Sequence, residues 1–193
     1  MTLDRPSIVY VVFVAAAVLV ALGERVYARR NETRLLRQGA AEVAPWVFRL
    51  MAPVYMLLFP AAIVERLALD RRAPPVLAAA MIVLFSAAKG LKLWAVLHLK
   101  GLWTMRVILP RPLRVVTGGP YRYVRHPNYV AVIGEILTLP LAGGAWITAV
   151  AGGALFGVLL RARVRTEETA LLARPEYVAL MANKNRFIPG GGR

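Results

Sequence analysis

The sequence predicts an all-α fold, an integral membrane bundle of about five transmembrane helices whose last two form a short hairpin. Two observations predict it. Hydrophobic residues make up 59% of the 193 and charged residues 18%, with a mean hydropathy of +0.57. A soluble domain is about 45–50% apolar and about 25% charged. This chain has too little polar surface to cover a soluble core. The second observation is where the charge lies. The net charge is +15, and the basic residues collect in a few polar segments between apolar runs, as cytoplasmic loops do. The apolar content excludes a disordered chain. The absence of cysteine excludes a disulfide framework, thiolate metal sites and a cysteine nucleophile.

The first apolar run, Ile8 to Leu22, is preceded only by Asp4 and Arg5. It lacks a basic leader and a convincing cleavage site, so it reads as a retained helix. The second, Val43 to Val64, carries Pro45, Pro53 and Pro60, which are expected to kink or break it. The third runs from Val76 to Leu97. The fourth, Tyr129 to Leu141, and the fifth, Gly144 to Leu160, are joined by Pro140 and Gly143-Gly144. A spanning helix needs about 20 residues, so the fourth is expected to extend through polar residues or to pair tightly with the fifth. Gly152-Gly153 and Gly157 would allow close helix approach. Gly190 to Arg193 reads as a frayed end.

Five spans put Gly23–Gly39, His98–Pro127 and Arg161–Arg193 on one side. That side holds 18 of the 25 basic residues. The positive-inside rule then places the N-terminus out and the C-terminus in the cytoplasm, and the membrane is read as a bacterial inner membrane. A single domain is expected, with N-terminal transmembrane helices over 1–97 and a core over 98–193. Oligomeric state is open.

Three polar features fall at the expected cytoplasmic face. Gly118 to Tyr129, GGPYRYVRHPNY, packs Tyr, Arg, His and Asn into one short segment. Pro127 suits the first turn of a helix, and His126 then stands at the helix entrance, where free N–H groups favour an anion such as a carboxylate. The plain alternative is an interfacial Tyr/Arg belt. Arg161 to Glu168, RARVRTEE, ends a basic stretch on two acids. Its plain reading is surface pairing of Glu168 with Arg165 and of Glu167 with Arg163. Beside the first motif, a carboxylate able to hold an ammonium or ribose hydroxyls gains interest. Lys89 and Lys92 lie in the third run, with His98 and Lys100 following. Intramembrane charge marks functional candidates, but snorkelling to the interface explains Lys92 better.

Dinucleotide, Walker A, zinc-protease and nucleophile-elbow motifs are absent. Two histidines without cysteine give no reason to assign a metal. Aromatics do not interleave the basic segments as nucleic-acid stacking would require, so no nucleic-acid partner is expected.

Gly119-Pro120-Tyr121, Arg125-His126-Pro127-Asn128-Tyr129, a short helical hairpin, Arg163-Val164-Arg165-Thr166-Glu167-Glu168, Tyr177 and Arg186-Phe187-Ile188-Pro189 follow in order. Over Leu97 to Pro189 this pattern resembles the isoprenylcysteine carboxyl methyltransferase family, as does Gly101-Leu102-Trp103-Thr104 upstream. The resemblance implies an S-adenosylmethionine-dependent membrane methyltransferase. Its cofactor pocket would lie at the cytoplasmic ends of the last two spans. Ala131 stands where the family often has Gly. Asn128 and Glu135 look like a bacterial branch, encoded beside type III polyketide synthases, that methylates phenolic lipids or related polyketides. These features weigh against a prenylcysteine substrate.

The resemblance assigns cofactor binding to Tyr121, His126, Pro127, Tyr129 and Glu168, with Glu168 on the ribose hydroxyls or the methionine ammonium. Arg163 and Glu167 fall nearer the acceptor as catalytic residues. A phenol acceptor would give its proton to Glu167 or His126. A carboxylate acceptor would need no base and would be oriented by Arg163. The lipophilic acceptor would enter sideways from the bilayer, among membrane lipids. The alternatives are isoprenylcysteine carboxyl methylation, phospholipid N-methylation, an NADPH-dependent membrane reductase and a non-enzymatic membrane scaffold.

Overall fold

The computed structural model describes residues 4–190. Of the frayed end expected at Gly190–Arg193, residues 191–193 lie outside that range. Six helices carry the chain: α1 Arg5–Arg37, α2 Pro45–Ala68, α3 Pro75–Leu99, α4 Pro127–Gly143, α5 Gly153–Leu172 and α6 Pro175–Met181. The first three are each long and apolar enough to cross a membrane. α4 has 17 residues and the second half of α5 is charged, so length and composition alone qualify three spans among the described residues, against the five expected. The outward faces remain apolar, with Val76 84% and Leu19 70% exposed. Lipid, not water, suits such faces.

Two helices differ from their apolar runs. α1 does not end at Leu22; its 33 residues extend about 50 Å through the basic segment. Arg, Glu and Leu there are good helix formers, and Asp4 caps the start by accepting from Ser7 N–H at 3.1 Å. α2 is not broken by its prolines. Pro45 sits in the first turn, and the helix continues through Pro53 and Pro60 to Ala68.

α3 and α4 pack closely where Gly134 faces Ala88; a Cβ on Gly134 would come within 2.9 Å of Ala88 Cβ. The α4–α5 hairpin forms as expected. Its turn is Gly144 at φ +81°, and a π-helical turn, Thr148–Gly152, leads into α5. Glu65 of α2 caps that entry by accepting from Ile147 N–H at 2.9 Å, Thr148 N–H at 2.7 Å and the Thr148 hydroxyl at 2.8 Å. Gly152 gives room to Leu58 of α2 and Gly153 to Leu137 of α4, whereas Gly157 faces open space. The first two glycines therefore serve contacts within the chain.

The segment between α3 and α4 is tied to the rest at three places. β1, Ala41–Glu42, pairs antiparallel with β2, Ile108–Leu109. Asn31 of α1 donates to the Trp103 carbonyl at 2.9 Å. Buried Glu32 accepts from Met105 and Arg106 N–H at 3.1 and 3.2 Å and from Arg25 at 2.9 Å. The C-terminal segment closes the other side. Arg125 and His126 N–H donate to the carbonyls of Asn185 and Arg186, each at 2.9 Å.

Candidate active site

Pro127 is fully buried in the first turn of α4. It starts the helix without leaving an unused N–H, and so fixes His126 before it and Asn128 and Tyr129 after it. Arg163, Glu167 and Glu168, which span about one and a half turns of α5, face this helix entrance. The His126 and Tyr129 rings stack at 5.2 Å and 25°.

Neither surface pairing expected along α5 forms. The Tyr129 hydroxyl donates to Glu167 and accepts from Arg163 Nε at 2.7 Å. Glu168, 3% exposed, is surrounded by basic side chains. Its Oε1 lies 3.1 Å from His126 Nε2 and 3.3 Å from Arg125, and its Oε2 accepts from Arg186 at 2.8 and 2.6 Å. Burial works to raise the Glu168 carboxyl, but the hydrogen bonds from Arg186 and His126 and the charge of Arg125 outweigh it and hold the pKa below the ordinary value.

Two cavities meet here. One, of about 160 Å³, lies beside the loop before α4 and is lined by Tyr121, Arg125, His126, Glu167 and Tyr177 among others. The second, of about 380 Å³, lies between the helices and is mostly apolar, with Leu22, Phe48, Met51, Met56, Phe156 and Leu160 on its wall. Trp103, Thr104, Asn128, Tyr129 and Arg163 line both. Trp103 Nε1, Arg125 Nε and Asn128 Oδ1 are buried with no hydrogen-bond partner. Buried polar atoms are usually satisfied; these two donors and one acceptor all belong to residues that line the first cavity. Burial pushes the Tyr177 phenol up to about 12 and raises Tyr121 as well, which keeps both as O–H donors at neutral pH.

Of the residues read from sequence, Tyr121, His126, Tyr129, Arg163 and Glu167 line the polar cavity. Pro127 stands behind it, and Glu168 faces Arg125, His126 and Arg186 rather than the cavity. Trp103, Arg125 and Arg186 were not assigned to the site, and Asn128 was noted only as a mark of a bacterial branch, although each lies inside a quoted motif. Lys92 does not snorkel. It is 4% exposed and turns inward with Lys89 to Glu24 and Glu135. His98 lies apart, bonded to the Trp94 carbonyl at 2.9 Å.

The fold and site together define a class: a membrane helical protein with two cavities that share one wall, the smaller of them the more polar. Residues 79–173, just under half of the chain, match the model of the isoprenylcysteine carboxyl methyltransferase (ICMT) family. Its members are membrane methyltransferases that use S-adenosylmethionine. Similar proteins include the uncharacterized protein YpbQ of Bacillus subtilis (strain 168), 28% identical over 158 residues, which are 82% of this chain and 94% of that one. An uncharacterized protein of Haemophilus influenzae is 27% identical over 147 residues, 74% of this chain and 83% of its own length.

Proposed function

We propose that this protein transfers a methyl group from S-adenosylmethionine to an oxygen of a lipophilic acceptor, in the first instance a phenolic lipid or polyketide. The observation that carries the reading is the wall shared by a polar and an apolar cavity. It suits one ligand from water and one from lipid.

The partnerless atoms fit the cofactor's amino-acid end. Trp103 and Arg125 would offer N–H groups to a carboxylate, and Asn128 an oxygen to an ammonium. Tyr121, His126 and Tyr177 would wall the site, and Glu168 positions His126 and Arg125. At about 160 Å³ the cavity is below the range of about 300–1,000 Å³ usual for ligand sites, so the loop over 104–116 must give as the nucleoside enters. When bound, the cofactor supplies a methyl carbon on a positive sulfonium. The chain's own work is alignment and exclusion of water. On the shared wall, the acceptor's hydroxyl proton passes to Glu167, directly or through the Tyr129 hydroxyl already bonded to it. Arg163, donating to Tyr129, holds that hydroxyl in place.

One observation favours a second acceptor, the isoprenylcysteine carboxylate: buried Arg163 lines both cavities and could anchor an anion. Glu167→Gln separates the two. It should lower kcat on a phenol about 100-fold and leave a carboxylate acceptor nearly unaffected. For orientation we adopt N-terminus out and C-terminus cytoplasmic, in a bacterial inner membrane.

Calorimetry in mild detergent tests the cofactor. Wild type should bind S-adenosylmethionine, and Glu168→Gln should bind it weakly because His126 and Arg125 lose their anchor. Well-folded wild type that binds NADPH instead would support a reductase; binding of neither would support a scaffold.

A further inference from the structure

A polar cluster inside the bundle has no part in the proposed reaction. Glu24 of α1, Tyr55 of α2, Lys89 and Lys92 of α3 and Glu135 of α4 converge there. Lys92 Nζ lies 2.6 Å from Glu24 and 3.5 Å from Glu135, and Lys89 Nζ lies 3.1 Å from each. Tyr55 donates to Glu135 Oε2 at 2.6 Å. Two ammoniums face two carboxylates, so the cluster is neutral overall. Glu135 is 2% exposed, and its Oε1 has no partner among the described residues. Ionisable groups within helices that cross a membrane are costly and mark function.

Two members of the cluster reach the apolar cavity: Lys92 and Tyr55 are both on its wall. Tyr55 has committed its proton to Glu135, so its oxygen keeps capacity to accept. Lys92 directs two of its three N–H groups at carboxylates and keeps one. One donor beside one acceptor matches a hydroxyl, which gives one hydrogen bond and takes one. The neutrality of the cluster disfavours an added charge. α4 sets the spacing. Asn128 is on the shared wall and Glu135 is in the cluster, two turns apart, or about 10 Å along the axis.

We infer that Tyr55 and Lys92 form a second subsite for the methyl acceptor, one that receives a neutral hydroxyl carried on the lipid chain about 10 Å from the oxygen that is methylated. The inference rests on the methyl-transfer reading and deepens it: the acceptor is a lipid with two oxygen functions, supplied by a reaction that leaves a hydroxyl within the chain. A cluster that only held four helices together would be indifferent to the acceptor's chain.

The test uses two synthetic 3-alkylphenols of equal chain length. One carries a secondary hydroxyl about 10 Å from the phenol oxygen; the other has a methylene there. The full chain in detergent, with labelled S-adenosylmethionine, should show a kcat/KM about tenfold higher for the hydroxylated probe, the discrimination expected of a buried hydrogen bond to a charged group. Tyr55→Phe, and separately the charge-balanced pair Lys92→Met with Glu24→Gln, should bring the ratio close to one. Cofactor binding and the rate on the plain phenol should hold within about twofold. Equal use of the two probes by wild type overturns the subsite and leaves methyl transfer standing, as does an unchanged ratio in both variants. Transfer to neither probe by protein that binds S-adenosylmethionine overturns the phenolic acceptor and the subsite together.

Discussion

Glu168 illustrates what the site asks of a single residue. Its carboxylate gathers Arg125 and His126 from the loop before α4 and Arg186 from beyond α6. Because its folded pKa lies below the ordinary value, its stabilising contribution is complete above the unfolded carboxylate pKa and is lost as pH falls through the lowered folded value. Thermal unfolding in detergent should therefore show an acid-side loss of stability below about pH 4 that is smaller in Glu168→Gln. At neutral pH that variant should be less stable by about 1–3 kcal/mol. The two acids of Arg161–Glu168 were legible as unusual from their place at the end of a basic run. Their partners were not, because helical spacing pointed to Arg163 and Arg165 while the fold supplied Tyr129 and Arg186. The meeting of Glu24, Lys92 and Glu135 was hidden in the same way: the three lie on different helices, and only packing brings them together.

At the scale of elements, glycine and capping decide how closely the helices approach. Gly134→Val should cost about 1–3 kcal/mol, since its side chain would enter the α3–α4 contact at Ala88. Gly157→Ala, facing open space, should be neutral or stabilising by up to about 1 kcal/mol. Unfolding of the two variants side by side checks the difference. Glu65→Ala should cost about 1–3 kcal/mol, because it strips the cap from the turn that leads into α5. Element existence was readable from the apolar runs; extent was not. α1 continues past its apolar run because its polar half is made of helix formers and is held by Glu32 and Asn31. α2 continues through two prolines that look like breaks in isolation.

For the whole molecule, the charge pattern makes a topological prediction. A reporter fused after Arg72 should be active only as a periplasmic fusion; cytoplasmic activity there would overturn the five-span arrangement. Composition alone made the membrane class legible, because no soluble fold hides so much apolar surface. The division of labour between the halves was less visible: the N-terminal helices α1 and α2 supply much of the apolar cavity. The wall of Trp103, Thr104, Asn128, Tyr129 and Arg163 has a kinetic consequence. Under the proposed methyl transfer, two ligands that reach one partition through different cavities, one from water and one from lipid, do not obstruct each other's entry. Steady-state rates should follow a sequential, random-order scheme with intersecting double-reciprocal lines, and a single compound joining a nucleoside to an alkyl chain across that partition should compete with both.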